Sequence, residues 1–294
     1  MKSQPRDNDT LKKIFNHLQS SRVVDNNPHS YHVQARILHT LAENKPGAEK
    51  VDLLNEGLDL VDEGLAKERG GPNKEMLHNK KVEILGDIDR EDAEKFAQDL
   101  RQKHGDGSGY YTLAKLDLFG DENRTQALAN LDKAMNADTY PPEAVALRIK
   151  ICLDDNYENY EKLGQLAREL ERSDFRKTWE RAYRLAVVYF INGDYKHSKE
   201  WFTESHRLSP KYLDRKVEYF WMEGGSRKEF TGSVVSLTSS EGFIQSNSLR
   251  GYTDRIYFTP SRQNTDVELA TGLEVKFELG FSPRGPQAFE LDVI

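Results

Sequence analysis

Between Ala182 and Pro210 the residues recur at a spacing that paired helices satisfy and strands do not. Ala182, Leu185, Ala186 and Tyr189 fall on one helical stripe, Ser198, Phe202 and Ser205 on a second, and Pro210 closes the unit. Small side chains set against large ones let two antiparallel helices approach closely, but such a hairpin cannot bury its apolar face alone. It needs neighbours of the same kind. Soon after Pro210 the helical period gives way at Gly224-Gly225-Ser226, and the residues beyond read as short strands.

The upstream residues supply the neighbours. A short helix from an N-cap at Thr10 carries Leu11, Ile14, Phe15 and Leu18, and Asp25-Asn26-Asn27-Pro28 breaks it. Tyr31, Ala35, Leu38 and Leu41 mark the next helix, and Lys45-Pro46-Gly47 the turn after it. Val51, Leu54, Leu58, Val61 and Leu65 then keep one apolar face, opposite a face dense in Asp52, Glu56, Asp59, Asp62 and Glu63. A carboxylate run of this kind reads as a solvated face rather than a cation site. Gly70-Gly71-Pro72 ends that helix. Two more follow, Met76 to Leu85 and Ala93 to Leu100, separated at Gly86-Asp87, and the run from His104 to Gly109 is expected to be a loop.

From Tyr110 the pattern sharpens, with Leu113 and Ala114, then Ala127, Leu131 and Ala134, and a stop at Pro141-Pro142. Pro141 to Leu153 pairs with Tyr157 to Leu170, and Trp179 to Leu208 is the last pair. Lys211 to Met222, with Val217, Phe220 and Trp221, is expected to be a closing helix. Together these make about five helix pairs.

This spacing resembles that of tetratricopeptide (TPR) repeats over residues 29–223. The resemblance implies a superhelical scaffold whose concave groove takes a protein partner or peptide. Tyr110, Tyr111, Tyr183, Tyr189 and Tyr195 are candidate groove contacts, although tyrosines at helical spacing more often pack.

Composition bounds the rest. The 294 residues are enough for two cores, and 42 basic against 49 acidic side chains give a net charge of −7, unlike a general nucleic-acid coat protein. The single cysteine, Cys152, sits among Ile149, Ile151 and Leu153 and reads as a buried hydrophobe, so a reducing, cytoplasmic setting is expected. A polar start, MKSQPRDNDTLKKIF, and the lack of any long apolar run point to a soluble chain without membrane contact.

Beyond a linker at 224–230, residues 231–294 alternate. Gly232 to Leu237, Phe243-Ile244, Arg255 to Phe258, Glu274 to Glu278 and Ala288 to Val293 predict five short antiparallel strands closing a small barrel of OB type. The order Gly232-Ser233-Val234, Gly242-Phe243-Ile244, Ile256-Tyr257-Phe258 with Ser261, Leu269, Gly272, Val275 and Phe277, and then Arg284-Gly285-Pro286-Gln287-Ala288, resembles a cold-shock domain. That resemblance implies single-stranded RNA or DNA binding by base stacking on Phe243 and Tyr257. It departs from the family where Ser236 stands for a tryptophan, Glu241 for a phenylalanine and Thr259 for a histidine. Residues 231–294 also carry a net charge of −3, so few phosphates are neutralised. Arg250, Arg255 and Arg262 around Tyr252 and Tyr257 form the best candidate stripe.

Sharper chemistry finds less support. His29, His32 and His39 lack a carboxylate or cysteine at ligand spacing. Asp266, Glu274 and Lys276 imitate a nuclease order but fall where alternation of exposed charges explains them. The glycines of 105–109 precede no lysine and follow no strand, as a phosphate loop would require. The expectation is a multidomain α + β protein, an α-helical TPR-like solenoid (29–223) after an N-terminal segment (1–28) and before the barrel. It is read as a non-enzymatic binding protein without metal or cofactor. The alternative is a pure interaction scaffold or regulatory subunit whose barrel binds no nucleic acid.

Overall fold

The computed structural model describes residues 8–25, 27–68, 72–119, 123–155, 159–173, 178–213, 215–263 and 269–294. Among these, eleven α-helices precede a segment of strands with one short 3-10 helix (Pro260–Arg262), and contacts divide the chain into two compact units, 1–141 and 142–294. The division falls inside the helical region rather than at residue 223, and rings of the last helix pair pack on the barrel. No helix among the described residues is long and apolar enough to cross a membrane.

The first unit holds α1 (Asn8–Asp25) and three pairs: α2 (Pro28–Ala42) with α3 (Gly47–Lys67), α4 (Pro72–Ile88) with α5 (Arg90–His104), and α6 (Asp106–Phe119) with α7 (Arg124–Met135). Local chemistry sets several of the starts. The Asn27, Asp89 and Asn123 side chains accept from the backbone amides of His29, Glu91 and Gln126, satisfying donors that a helix start leaves open. Packing sets the faces. On α3 the buried stripe is Leu54, Gly57, Leu60, Val61 and Gly64, rotated from the expected one, and Val51 stays 43 % exposed. Gly64 is the reason for close contact here, since a Cβ on it would lie 2.9 Å from Tyr31 Cβ and 3.1 Å from Leu77 Cδ2.

Three local expectations change in this unit. The first helix starts at Asn8, ahead of Thr10. Gly86 and Asp87 lie within α4, which breaks instead at Asp89. The expected loop of 104–109 is a junction: Gly105, at φ 87°, ends α5 and α6 begins at Asp106. A Cβ on Gly107 would fall 2.2 Å from the Thr139 carbonyl oxygen and one on Gly109 1.7 Å from Arg101 Cγ. These glycines are therefore kept by neighbouring backbone and side chains, despite their poor intrinsic helix propensity.

The second unit opens with α8 (Pro142–Asp154) and α9 (Tyr160–Arg172), then α10 (Trp179–Ile191) and α11 (Tyr195–Leu208). The stripe that defines the last pair is buried as expected: Ala182, Leu185, Ala186, Tyr189, Ser198, Phe202 and Ser205 are all inside. The two serines fit because their hydroxyls donate across the hairpin, Ser198 to the Ala186 carbonyl (2.8 Å) and Ser205 to that of Trp179 (3.3 Å).

The described residues of 211–222 form no helix. Turns lead to β1 (Tyr219–Phe220) and β2 (Met222–Glu223), and the expected linker is a hairpin into β3 (Ser226–Arg227). Gly224 and Gly225 both take positive φ (58° and 79°), the backbone that a two-residue turn between antiparallel strands requires. The remaining strands are β4 (Glu229–Leu237), β5 (Gly242–Ser246), β6 (Ile256–Phe258), β7 (Glu274–Ser282) and β8 (Gly285–Val293).

β4 pairs with β5 and β7, β5 with β6, β7 with β8, and β8 returns to β6, closing a five-stranded barrel of OB type. The closing pair, Tyr257 opposite Gln287, is parallel, which corrects the expectation of five antiparallel strands. β1 extends the sheet on β7, with Tyr219 opposite Phe281. Phe230, Val234, Ile244, Ile256, Phe258, Val275, Phe277, Leu279 and Leu291 fill the barrel. Two glycines of the cold-shock-like pattern acquire a physical reason: a Cβ on Gly232 would meet the Gln245 carbonyl oxygen at 2.4 Å, and one on Gly242 the Phe258 ring at 2.1 Å.

Candidate nucleic-acid interface

The helices and barrel of the second unit meet through aromatic rings. Phe190 packs edge to face on Phe281 (5.3 Å between centroids) and Tyr252 (5.0 Å), Phe202 stacks on Phe281 (6.4 Å), and Tyr183 on Tyr219 (5.4 Å). The Tyr183 hydroxyl donates to the Phe281 carbonyl at 2.5 Å, and its burial pushes the phenol well above the usual tyrosine range. Aromatic pairs in these geometries add about 0.5–1.5 kcal/mol each beyond their buried area. The junction is thus fixed by many rings at once.

Beside this junction lies a cleft of about 540 Å³. The barrel supplies Phe243 from β5, Tyr257 from β6, and Arg284 and Gly285 to Gln287 from the turn and start of β8; α11 supplies Ser198, Lys199, Phe202, Thr203 and His206. Phe243 and Tyr257 face each other across the β5–β6 pairing with centroids 5.9 Å apart, both half-buried. Strand alternation puts them on one face, since Gly242 and Ile244 point inward. Arg215, which precedes β1, reaches over from the helical side. Its Nη1 donates to the Tyr257 hydroxyl at 3.1 Å and its guanidinium lies 5.0 Å from the ring centroid.

Of the residues singled out in the sequence, Phe243, Tyr257, Tyr252 and Arg255 line this cleft. Arg250 sits on an exposed turn and is not among its lining residues, and the side chain of Arg262 lies outside the described part. Tyr252 has a different role from the expected stacking surface. Its ring is spent edge to face on Phe190 and Tyr195 (5.1 Å), and burial first, then Asp254, pushes its phenol far above the ordinary value. Of the positions where the family pattern is lost, Glu241 lines the cleft and the Thr259 hydroxyl hydrogen-bonds that of Tyr257 (3.1 Å).

Lys199 and Arg215 were not legible as site residues. They stand 58 and 42 positions before Tyr257, on elements with no β pattern to associate them. With Arg255 and Arg284 they give the cleft four cations against two carboxylates, Glu241 and Asp254; Lys199 pairs with Asp254 at 2.9 Å.

The first unit offers a second concavity, of about 430 Å³, lined by the first helix of each pair: Arg36 and His39 on α2, Lys80, Glu83 and Asp87 on α4, and Lys115 on α6. Burial pushes the Glu83 carboxyl up, but Lys115, 3.5 Å away, and Lys80 outweigh it and hold it below the usual carboxylate range. His39 Nε2 lies 2.9 Å from Asp87. Burial with Lys80 and Arg36 lowers His32 to about 4. Among the described residues no three His, Cys, Asp or Glu side chains cluster as metal ligands would.

The remaining singled-out residues pack or face solvent. Tyr111, Tyr183 and Tyr189 are buried, Tyr110 lies under Arg101 (4.5 Å), and Tyr195 lines the barrel cleft. Cys152 is buried. Glu274 and Lys276 project from β7 into solvent, where Glu274 accepts from Asn247 (2.9 Å); Asp266 lies outside the described residues.

No family model matches this chain, and no curated protein matches it either. Among solved structures it is similar to a thermophilic TPR protein of Thermus thermophilus, at 14% identity and a TM-score of 0.37, over 61% of this chain and 94% of that one.

Proposed function

We propose that the chain is a non-enzymatic binding protein: its TPR-like repeats dock a protein partner, and its cold-shock-like barrel contacts single-stranded RNA or DNA, tethering the partner to the strand. The observation that carries the reading is the pair of half-buried rings, Phe243 and Tyr257, on one wall of a cleft with net positive lining. Partly accessible rings beside guanidinium and ammonium groups suit stacked bases and their phosphates. For the helical part, support comes from the hollow lined by α2, α4 and α6, whose mixed charges suit a polar peptide segment.

The test is fluorescence anisotropy of labelled single-stranded RNA and DNA against the full chain and its F243A/Y257A variant. Two lost platforms, each worth about 1–3 kcal/mol, should weaken binding by at least tenfold. Equal affinity in the double variant removes the stacking surface from the account. Glu241 and Asp254 in the cleft favour the scaffold alternative, in which the barrel binds no nucleic acid. Absorbance of the purified protein separates the two, since a clean protein peak with a stoichiometric protein companion belongs to the scaffold.

A further inference from the structure

The barrel is a poor nucleic-acid binder by charge, and the helices beside it correct that. We infer that α11 and the segment following it complete the site, and that the completed cleft takes a short stretch of single strand, about two nucleotides, rather than a long lane. The inference rests on the nucleic-acid reading above.

Charge comes first. Residues 231–294 carry net −3, yet the cleft lining is net positive, because Lys199 and Arg215 are contributed from outside the barrel. Lys199 is engaged with Asp254, which leaves Arg215 as the cation that matters most on that side. Arg215 donates to the Tyr257 hydroxyl and lies over the Tyr257 ring, so a base that stacks there meets the guanidinium, which can swing from the ring to the phosphate.

Length follows from platforms and space. A base needs a ring to stack on, and the barrel's cleft offers Phe243 and Tyr257, with Tyr252 already packed against Phe190 and Tyr195. A cleft of about 540 Å³ belongs with pockets for small ligands, about 300–1,000 Å³. Open grooves on barrels of this type follow about 4–16 nucleotides. The difference is the wall made by α11. That wall is held in place, since Phe202 stacks on the fully buried Phe281, which Tyr183 also hydrogen-bonds through its backbone.

The experiment is a calorimetric titration of the full chain with unlabelled single strands, homopyrimidine RNA and DNA, from about two to about eight nucleotides. A salt series follows on wild type, R215Q and, as a control away from the cleft, K276Q. Affinity per binding register should stop rising at two to three nucleotides, and R215Q should flatten the log K against log salt slope by about 0.7, the share of one phosphate contact on a single strand. K276Q should leave the slope alone. Affinity per register that keeps climbing to six nucleotides or more overturns the short-segment inference and leaves the nucleic-acid reading standing. An R215Q slope equal to wild type overturns the role of the helical side. Failure of every length to bind, in both RNA and DNA, sinks the nucleic-acid reading and this inference together.

Discussion

Gly242 precedes Phe243, the candidate stacking residue, and adding one methyl group there should cost the barrel about 1–2 kcal/mol net. A Cβ at this position would stand 2.1 Å from Phe258 Cζ, 2.4 Å from Cε1 and 2.7 Å from Cε2. Carbon atoms in contact prefer about 3.5–4.0 Å, so the ring would have to retreat by about 1.4 Å. Phe258 is 0 % exposed, and the retreat is into a filled core. Overpacking of this kind costs about 1–3 kcal/mol, sometimes more, against about 0.4–1 kcal/mol gained from the stiffer unfolded chain when Ala replaces Gly. The φ of Gly242 is not positive, so no backbone strain confuses the comparison. All three tryptophans, Trp179, Trp201 and Trp221, lie in 142–294, so urea unfolding followed by tryptophan fluorescence reads this unit. The clash should be relieved in part by shortening the ring: G242A/F258L should be more stable than the sum of the single changes by about 1 kcal/mol. A G242A protein within about 0.5 kcal/mol of wild type would refute the packing argument.

Other expected outcomes are as direct. In α3, G64A gains up to about 1 kcal/mol of helix propensity but drives a Cβ to 2.9 Å from Tyr31 Cβ, and the clash wins; a melting temperature by circular dichroism at or above wild type would contradict this. Glu290 holds φ 48° at the bulge where β7 and β8 shift register, so E290G should be neutral or stabilising by up to about 1 kcal/mol while E290V destabilises, and the reverse order in denaturant unfolding would sink the strain argument. Burial, with His104, Lys74, Lys81 and Lys103, lowers His78 to about 4, and His32 is likewise held at about 4. Both titrate near 6.5 when unfolded, so stability is complete above about 6.5 and falls as pH drops toward about 4, by roughly 1–2 kcal/mol for each half-buried ring. Acid melts of H32Q/H78Q should be flatter over that window than wild type, and an unchanged pH slope would count against the burial argument.

Much of the helical part was legible because its punctuation is local. Asn27 with Pro28, Pro46 with Gly47, and the small residues of α10 and α11 act within a turn or one hairpin of where they stand. Where partners lie far off in sequence the reading fails for stated reasons. Asp106 to Gly109 carry a loop composition, but Thr139, Tyr140 and Arg101 crowd the backbone so closely that glycine is what fits. Val217, Phe220 and Trp221 have helical spacing, yet β7 captures Tyr219 and Phe220 as a strand from some 60 residues away. The site divides the same way: the cold-shock-like order of residues pointed to Phe243 and Tyr257, whereas Lys199 and Arg215 reach the cleft only through packing, and packing on Phe190 likewise takes up the Tyr252 ring.

The barrel closes where β8 meets β6 and β7, and that closure orders events during synthesis. A ribosome releases the helices first, and within each unit neighbouring helices can dock through contacts near in sequence. β4, β5 and β6 emerge with both outer edges unpaired: β4 waits for β7, and β6 for Gln287 on β8. In that interval Phe190 of α10 is available to take Tyr252 from the β5–β6 connection, and Phe190 and Phe202 then receive Phe281 as β7 arrives, so the helical hairpin serves the barrel as a template before it serves as the wall of its cleft.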